Sequence, residues 1–143
     1  MCIRDRSQNV QTGRQRSLSL KELVETLSAP GVRFVNLQYG DVEGEIAQIK
    51  QDLGIEVIEE SSIDNFQDLD GLACLIMACD EVISVDNSTV HMAGALGKTT
   101  KVLLPYSADW RWMEERTDSP WYDSLVLFRQ GPDLLWLTTL KTL

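Results

Sequence analysis

Short apolar runs alternate along this chain with segments whose apolar residues return every three or four positions. Leu20, Leu23, Val24 and Leu27 make one such helical face. Ser19 stands before them with Glu22 three residues further on, the spacing of a capping box, and Pro30-Gly31 ends the segment. Arg33–Gln38 is a short strand-forming run with Tyr39-Gly40-Asp41 as its exit loop. Gly44–Leu53 is a second helix with Ile46, Ile49 and Leu53 on one side, stopped by Gly54. Ile55–Glu59 reads as the next strand and Ser61–Gln67 as a polar loop. Asp68 is placed to cap a third helix, Leu69–Cys79. Glu81–Val85, Lys101–Leu104 and Ser124–Phe128 are further strands. Thr89–Leu96 is a small-residue helix closed by Gly97, and Asp133–Leu143 is a last one. Between them Tyr106–Tyr122 is an aromatic segment carrying Trp110, Trp112 and Trp121.

The strands are apolar throughout rather than alternating, which suits a sheet covered on both faces. Their alternation with helices of about ten residues predicts an α/β fold, a Rossmann-like parallel sheet with helices on both faces and right-handed crossovers. Such sheets bind ligands outside the carboxyl ends of their strands. The loops 38–44, 61–68, 86–89 and 105–111 are therefore where a ligand is expected.

The length of 143 residues, with 43% hydrophobic and 24% charged, suits one soluble domain. No stretch approaches the ~20 apolar residues of a membrane span. Thirteen basic and twenty-two acidic residues give a net charge of −9, which excludes a general nucleic-acid binder. The charge is uneven. Residues 1–33 carry six basic and three acidic side chains, a net of +3, and the rest carries seven and nineteen, a net of −12. A basic front on an acidic body serves an anionic ligand or is simply a solvated tail.

The opening MCIRDR resembles a translated sequencing-adaptor remnant, so residues 1–8 are set apart as a foreign or disordered tail and the domain is placed at 9–143. Arg6–Ser17 reads as a polar loop. The three cysteines, Cys2, Cys74 and Cys79, and a single histidine make no zinc spacing, and Cys74 and Cys79 face different sides of a helix. They are read as small buried hydrophobes in a reducing compartment. No signal peptide is visible, so the expected location is the cytoplasm, with a peripheral place at the inner membrane as the second possibility.

The segment Val82–Lys98, VISVDNSTVHMAGALGK, carries the most chemistry. Asp86 projects from a strand tip, Asn87 and Ser88 are good helix caps, and the first-turn N–H groups with the helix dipole suit an anion. Asp86, being negative, suits sugar hydroxyls instead, and His91 can donate to a phosphate oxygen. The same residues also read as a capped helix start with a buried histidine and no ligand.

This segment resembles the D-[TN]-[SG]-x-x-H-[LM]-A-[AG]-A-L-G-[KV] signature of glycosyltransferase family nine, the ADP-heptose:lipopolysaccharide heptosyltransferases. It is closer still to the glycosyltransferase-like domains found behind tetratricopeptide repeats in bacteria. Arg14–Leu23 (RQRSLSLKEL), Gly31–Gln38 (GVRFVNLQ) and Leu103–Gln130 carry the same resemblance. It implies the C-terminal half of a GT-B fold, the half that binds a nucleotide diphosphate sugar. The first strand of that half, the N-terminal domain with the catalytic base, and the repeats are then expected to be absent from this chain.

The resemblance implies that Asp86 contacts the donor sugar and that Asn87, Ser88 and His91 serve the diphosphate. The family often has Thr-Gly where this chain has Asn87-Ser88, which leaves the sugar open. Arg14 and Arg16 occupy the loop where such proteins keep cations near the phosphates, where fixed positive groups stabilise a leaving diphosphate without metal. Gln38 sits at a strand tip, as a ribose or phosphate contact or as a loop-capping amide. Asp64 and Phe66 lie where related enzymes hold ribose and base. Trp110-Arg111-Trp112 reads first as packing against the sheet edge and second as cleft lining.

No catalytic residue, metal or cofactor is expected here, only the nucleotide sugar as donor, with a glycan, lipid or protein as acceptor. The fragment alone is expected to be inactive. A non-catalytic binding module of a repeat protein is the alternative. A receiver-like signalling domain ranks lower, because the strand exit at Gln38–Asp41 offers one acid and no partner lysine.

Overall fold

The computed structural model describes residues 18–143. Arg14 and Arg16, expected near the phosphates, and the rest of residues 1–17 lie outside the described residues. From Leu18 onward, helices α1 (Leu20–Leu27), α2 (Glu43–Leu53), α3 (Leu69–Ala78), α4 (Ser88–Ala95) and α5 (Trp136–Leu140) alternate with strands β1 (Phe34–Val35), β2 (Val57–Ile58), β3 (Val82–Val85), β4 (Thr100–Leu104) and β5 (Leu125–Arg129). A single 3-10 turn, Trp110–Trp112, stands between β4 and β5.

The helix ends follow the local chemistry. The Ser19 hydroxyl accepts from the Glu22 N–H at 3.4 Å and the Asp68 carboxylate from the Gly71 N–H at 2.8 Å. Gly54 closes α2 at φ 67° and Gly97 follows α4 at φ 68°, left-handed values that a glycine adopts without strain. The last helix is shorter than the expected Asp133–Leu143. Leu134 takes φ 57°, and the Asp133 carboxylate accepts from the Leu135 N–H at 3.1 Å, so the chain turns before it coils.

The strands are parallel, as expected, but they form two ladders. β1 pairs with β2, Phe34 opposite Val57, while β4 lies between β3 and β5, with Val85 opposite Leu103 and Leu103 opposite Phe128. A groove of about 460 Å³, lined by Phe34 and Val35 on one side and Ile83 on the other, separates the two sheets. β1 and β2 are two residues each, shorter than the runs that announced them. Past β1 the Asn36 side chain takes up the backbone carbonyl and N–H of Gln38, at 3.3 and 2.9 Å, so these groups do not extend the ladder.

Both faces are covered. Leu23 and Val24 of α1, Ile49 of α2 and Leu140 of α5 pack with Val85 and Leu103 on one face. Leu72 and Ile76 of α3 and Ala93 of α4 meet Val82 and Leu37 on the other, which continues to Val102, Leu104 and Trp112. Adjacent residues of β4 thus serve opposite cores, the Rossmann-like α/β arrangement that the apolar strands imply. α3 buries Leu72 and Ile76 and leaves Cys74 exposed, since it stands two residues from each. The expectation of a buried Cys74 is thereby corrected, while Cys79 is half-buried and both thiols are free. Among the described residues no helix is long and apolar enough to cross a membrane.

Candidate functional site

Two recesses open at the carboxyl ends of the strands. The first, about 300 Å³, lies at the exits of β1 and β2 and is lined by Asn36, Gln38, Tyr39, Asp64 and Asn65 among others. Amides build it. The Asn36 side chain donates to the Gln38 carbonyl and to Glu59, each at 3.3 Å, and accepts from the Gln38 N–H at 2.9 Å. Asn65 reaches back 29 residues to donate to the carbonyls of Asn36 and Gln38, both at 3.4 Å. The other end of that amide, Asn65 Oδ1, is buried and has no hydrogen-bond partner among the described residues. Leaving such an acceptor unmet costs about 1–3 kcal/mol, so it invites a donor.

Gln38 is buried and donates to the Tyr39 carbonyl at 3.2 Å, which makes it a loop-holding amide that also lines the recess. One Asp64 oxygen accepts from the N–H groups of Phe66 and Gln67 at 2.9 and 3.1 Å, fixing the turn. Phe66 is 64% exposed, its ring 5.2 Å from that of Tyr39. Across the loop the Glu60 carboxyl is held below its usual range, chiefly by the Ser62 hydroxyl.

At the exit of β3, Asp86 is buried at the strand tip and Asn87 caps α4. The Asn87 side-chain oxygen accepts from the N–H groups of Thr89 at 3.0 Å and Val90 at 3.4 Å, and from the Ser84 hydroxyl at 3.2 Å. This corrects the expectation that the first-turn N–H groups stand open, because the helix's own cap occupies two of them. Ser88 is exposed beside them.

His91 points into a second recess, of about 360 Å³, lined with Trp110, Arg111, Trp121 and Tyr122. Its ring stacks on Trp112 with centroids 5.4 Å apart and its Nδ1 lies 3.3 Å from the Tyr122 hydroxyl. The aromatic segment thus divides: Trp112 is fully buried, as the packing reading expects, while Trp110 and Trp121 are 71% and 52% exposed. Arg129 anchors the segment, donating to the carbonyls of Trp112 at 2.6 Å and Arg116 at 3.1 Å. Burial lowers its guanidinium from the usual range, and Glu114 works against that.

The structure therefore brings Gln38 and Asp64 to one recess, with Phe66 outside its lining but against Tyr39, and sets Asp86, Asn87, Ser88 and His91 along the start of α4. Asn36, Asn65 and Tyr39 were missed. Their one signal in the sequence is that polar amides interrupt a strand-like run at its exit. Among the described residues no three His, Cys, Asp or Glu side chains are grouped to hold a metal ion.

The chain is similar to Protein FlbA of Caulobacter vibrioides (strain ATCC 19089 / CIP 103742 / CB 15), with 42% identity over 115 residues. The match takes in 80% of this chain but only 19% of that protein, so the chain spans about a fifth of its relative's length. No family model matches the chain. No solved structure matches it.

Proposed function

We propose that this chain is the nucleotide-sugar-binding half of a bacterial glycosyltransferase of the GT-B kind. The longer protein carrying it would move a sugar from a nucleotide diphosphate sugar to a glycan, lipid or protein acceptor, in the cytoplasm or at the inner membrane face. The observation that carries the reading is the recess at the exits of β1 and β2. It holds an unmet acceptor, Asn65 Oδ1, and is lined by the half-buried Tyr39, whose ring lies 5.2 Å from that of the exposed Phe66. A nucleoside brings the complement, donor groups on base and ribose and a flat ring to stack.

The resemblance of Asp86–Lys98 to family nine supplies the second support. The diphosphate would meet Ser88 and the start of α4, with Arg14 and Arg16 adding positive charge, and Asp86 would receive sugar hydroxyls. In transferases of this kind the catalytic base belongs to the N-terminal domain, so this chain alone is expected to transfer nothing.

Calorimetric titration of the longer protein with UDP-, GDP- and ADP-sugars tests this. Binding of one donor, weakened at least tenfold by Asp86→Ala and by Asn65→Leu, is expected. Absence of binding to all three, or affinity unchanged in both variants, defeats the reading. One observation favours the alternative, a binding module without catalysis: the Asn87 cap already satisfies Thr89 and Val90. That version predicts donor-independent binding of a protein partner and no nucleotide affinity.

A further inference from the structure

We infer that the recess beside α4 is a stacking site for one neutral pyranose ring, with Trp110 and Trp121 as its faces and His91, Tyr122 and Arg111 as its polar rim. The inference rests on the sugar-transfer reading above for its class of ligand and adds to it a place where a sugar ring sits.

Two large indoles, Trp110 and Trp121, are left largely in water while lining one and the same recess. Neither is loose. The Trp121 indole N–H donates to the Arg111 carbonyl at 2.8 Å, and its backbone N–H donates to the buried Ser119 hydroxyl at 3.2 Å. Trp110 opens the 3-10 turn that Asp109 caps through the Arg111 N–H at 3.0 Å, and the Arg111 guanidinium lies 5.3 Å from its ring centroid. Walls fixed before a ligand arrives lose little entropy on binding.

The rim selects the ligand. Arg111 is already paired with the Asp109 carboxylate at 2.8 Å, so it offers N–H donors with little net charge. That disfavours a phosphate or a carboxylate as the occupant and favours hydroxyls. The imidazole of His91 and the phenol of Tyr122 each donate and accept. A pyranose matches this distribution, with C–H groups on its two faces and hydroxyls around its edge. A volume of about 360 Å³ suits one ring rather than an oligosaccharide.

The test is a titration of the isotope-labelled chain with methyl β-glucopyranoside and methyl β-galactopyranoside, followed at the four indole N–H resonances. At least one glycoside is expected to move Trp110 and Trp121, with millimolar affinity, and to leave Trp136 of α5 unmoved. Trp110→Ala and Trp121→Ala should each weaken this at least tenfold. The first variant removes an exposed side chain, so the fold is retained. Still indoles with both glycosides, binding unchanged in both variants, or stronger movement with uridine than with either glycoside overturns the inference. A parallel UDP titration read at the amides of Asn36, Asn65 and Ser88 separates the two readings. UDP shifts without glycoside shifts remove the stacking site alone. Glycoside shifts without UDP shifts leave the site and remove the nucleotide assignment.

Discussion

The recess at the exits of β1 and β2 and the recess beside α4 are built on opposite principles. The first is polar, held by side-chain amides bonded to backbone carbonyls across 27 and 29 residues, and its order depends on geometry. The second is aromatic, held by packing on the buried Trp112 and by contact with a helix that leaves room for it. Hydrogen-bonded walls specify which groups a ligand must present, whereas stacked walls specify a shape and tolerate many ligands. A molecule that needs one part of a ligand recognised and another merely held has use for both.

The contrast can be broken from the aromatic side most forcefully. Trp112→Ala removes the floor under His91 and should cost about 3–5 kcal/mol of stability by urea denaturation. The donor affinity of whatever fraction stays folded should change less than that of a direct contact variant. Gly94→Ala is the next largest change. A Cβ there would lie 2.5 Å from Cγ of the Tyr122 ring, which must then move and take its hydrogen bond to His91 with it. A loss of about 1–3 kcal/mol is expected. It should fall by more than half in a Tyr122→Ala background, since the two residues share one contact.

On the polar side, Asn65→Ala takes one donor from each of the carbonyls of Asn36 and Gln38, the latter keeping the Asn36 amide, and should cost about 1–2 kcal/mol. Thermal melts of the single variants, with Trp fluorescence as the readout, should show the indoles undisturbed in Asn65→Ala and shifted in Gly94→Ala. The opposite pattern would mean that the recesses are not independent.

The smallest effect lies away from both. The Lys21 ammonium, 2.6 Å from Asp52, together with Gln48, holds the Asp52 carboxyl below its ordinary range. A depressed carboxylate pKa contributes stability above the unfolded value of about 3.9 and loses it as pH falls through the folded value. Asp52→Asn should therefore flatten the acid limb of a melting curve and leave neutral pH almost untouched, since the pair is solvent-facing.

Much of the α/β order was legible because it is local. Ser19, Asp68, Asn87, Gly54 and Gly97 mark helix ends through bonds within a few residues of themselves, and the structure uses all five. What escaped is what joins distant positions. Nothing near Asn65 announces that its amide belongs to the exit of β1, and nothing near Gly94 announces a tyrosine 28 residues later. The aromatic segment shows the same limit from another angle. Trp110 and Trp112 look alike in sequence, but in a 3-10 turn two residues advance about two-thirds of a turn, so one indole faces the core and the other faces water. The interruption between β1 and β3 was likewise invisible, since strand pairing is decided between segments nearly fifty residues apart.

The cap on α4 acts as a threshold. A ligand that comes to the start of this helix must displace the Asn87 oxygen before it can reach the Thr89 and Val90 N–H groups. Giving up such a cap costs about 1 kcal/mol, roughly a fivefold loss of affinity, and only a stronger acceptor recovers it. A neutral oxygen gains nothing from the exchange, whereas a doubly charged diphosphate gains the full field of the helix end. One asparagine would thus admit ligands by their charge, keeping the helix closed to water and to free sugars alike.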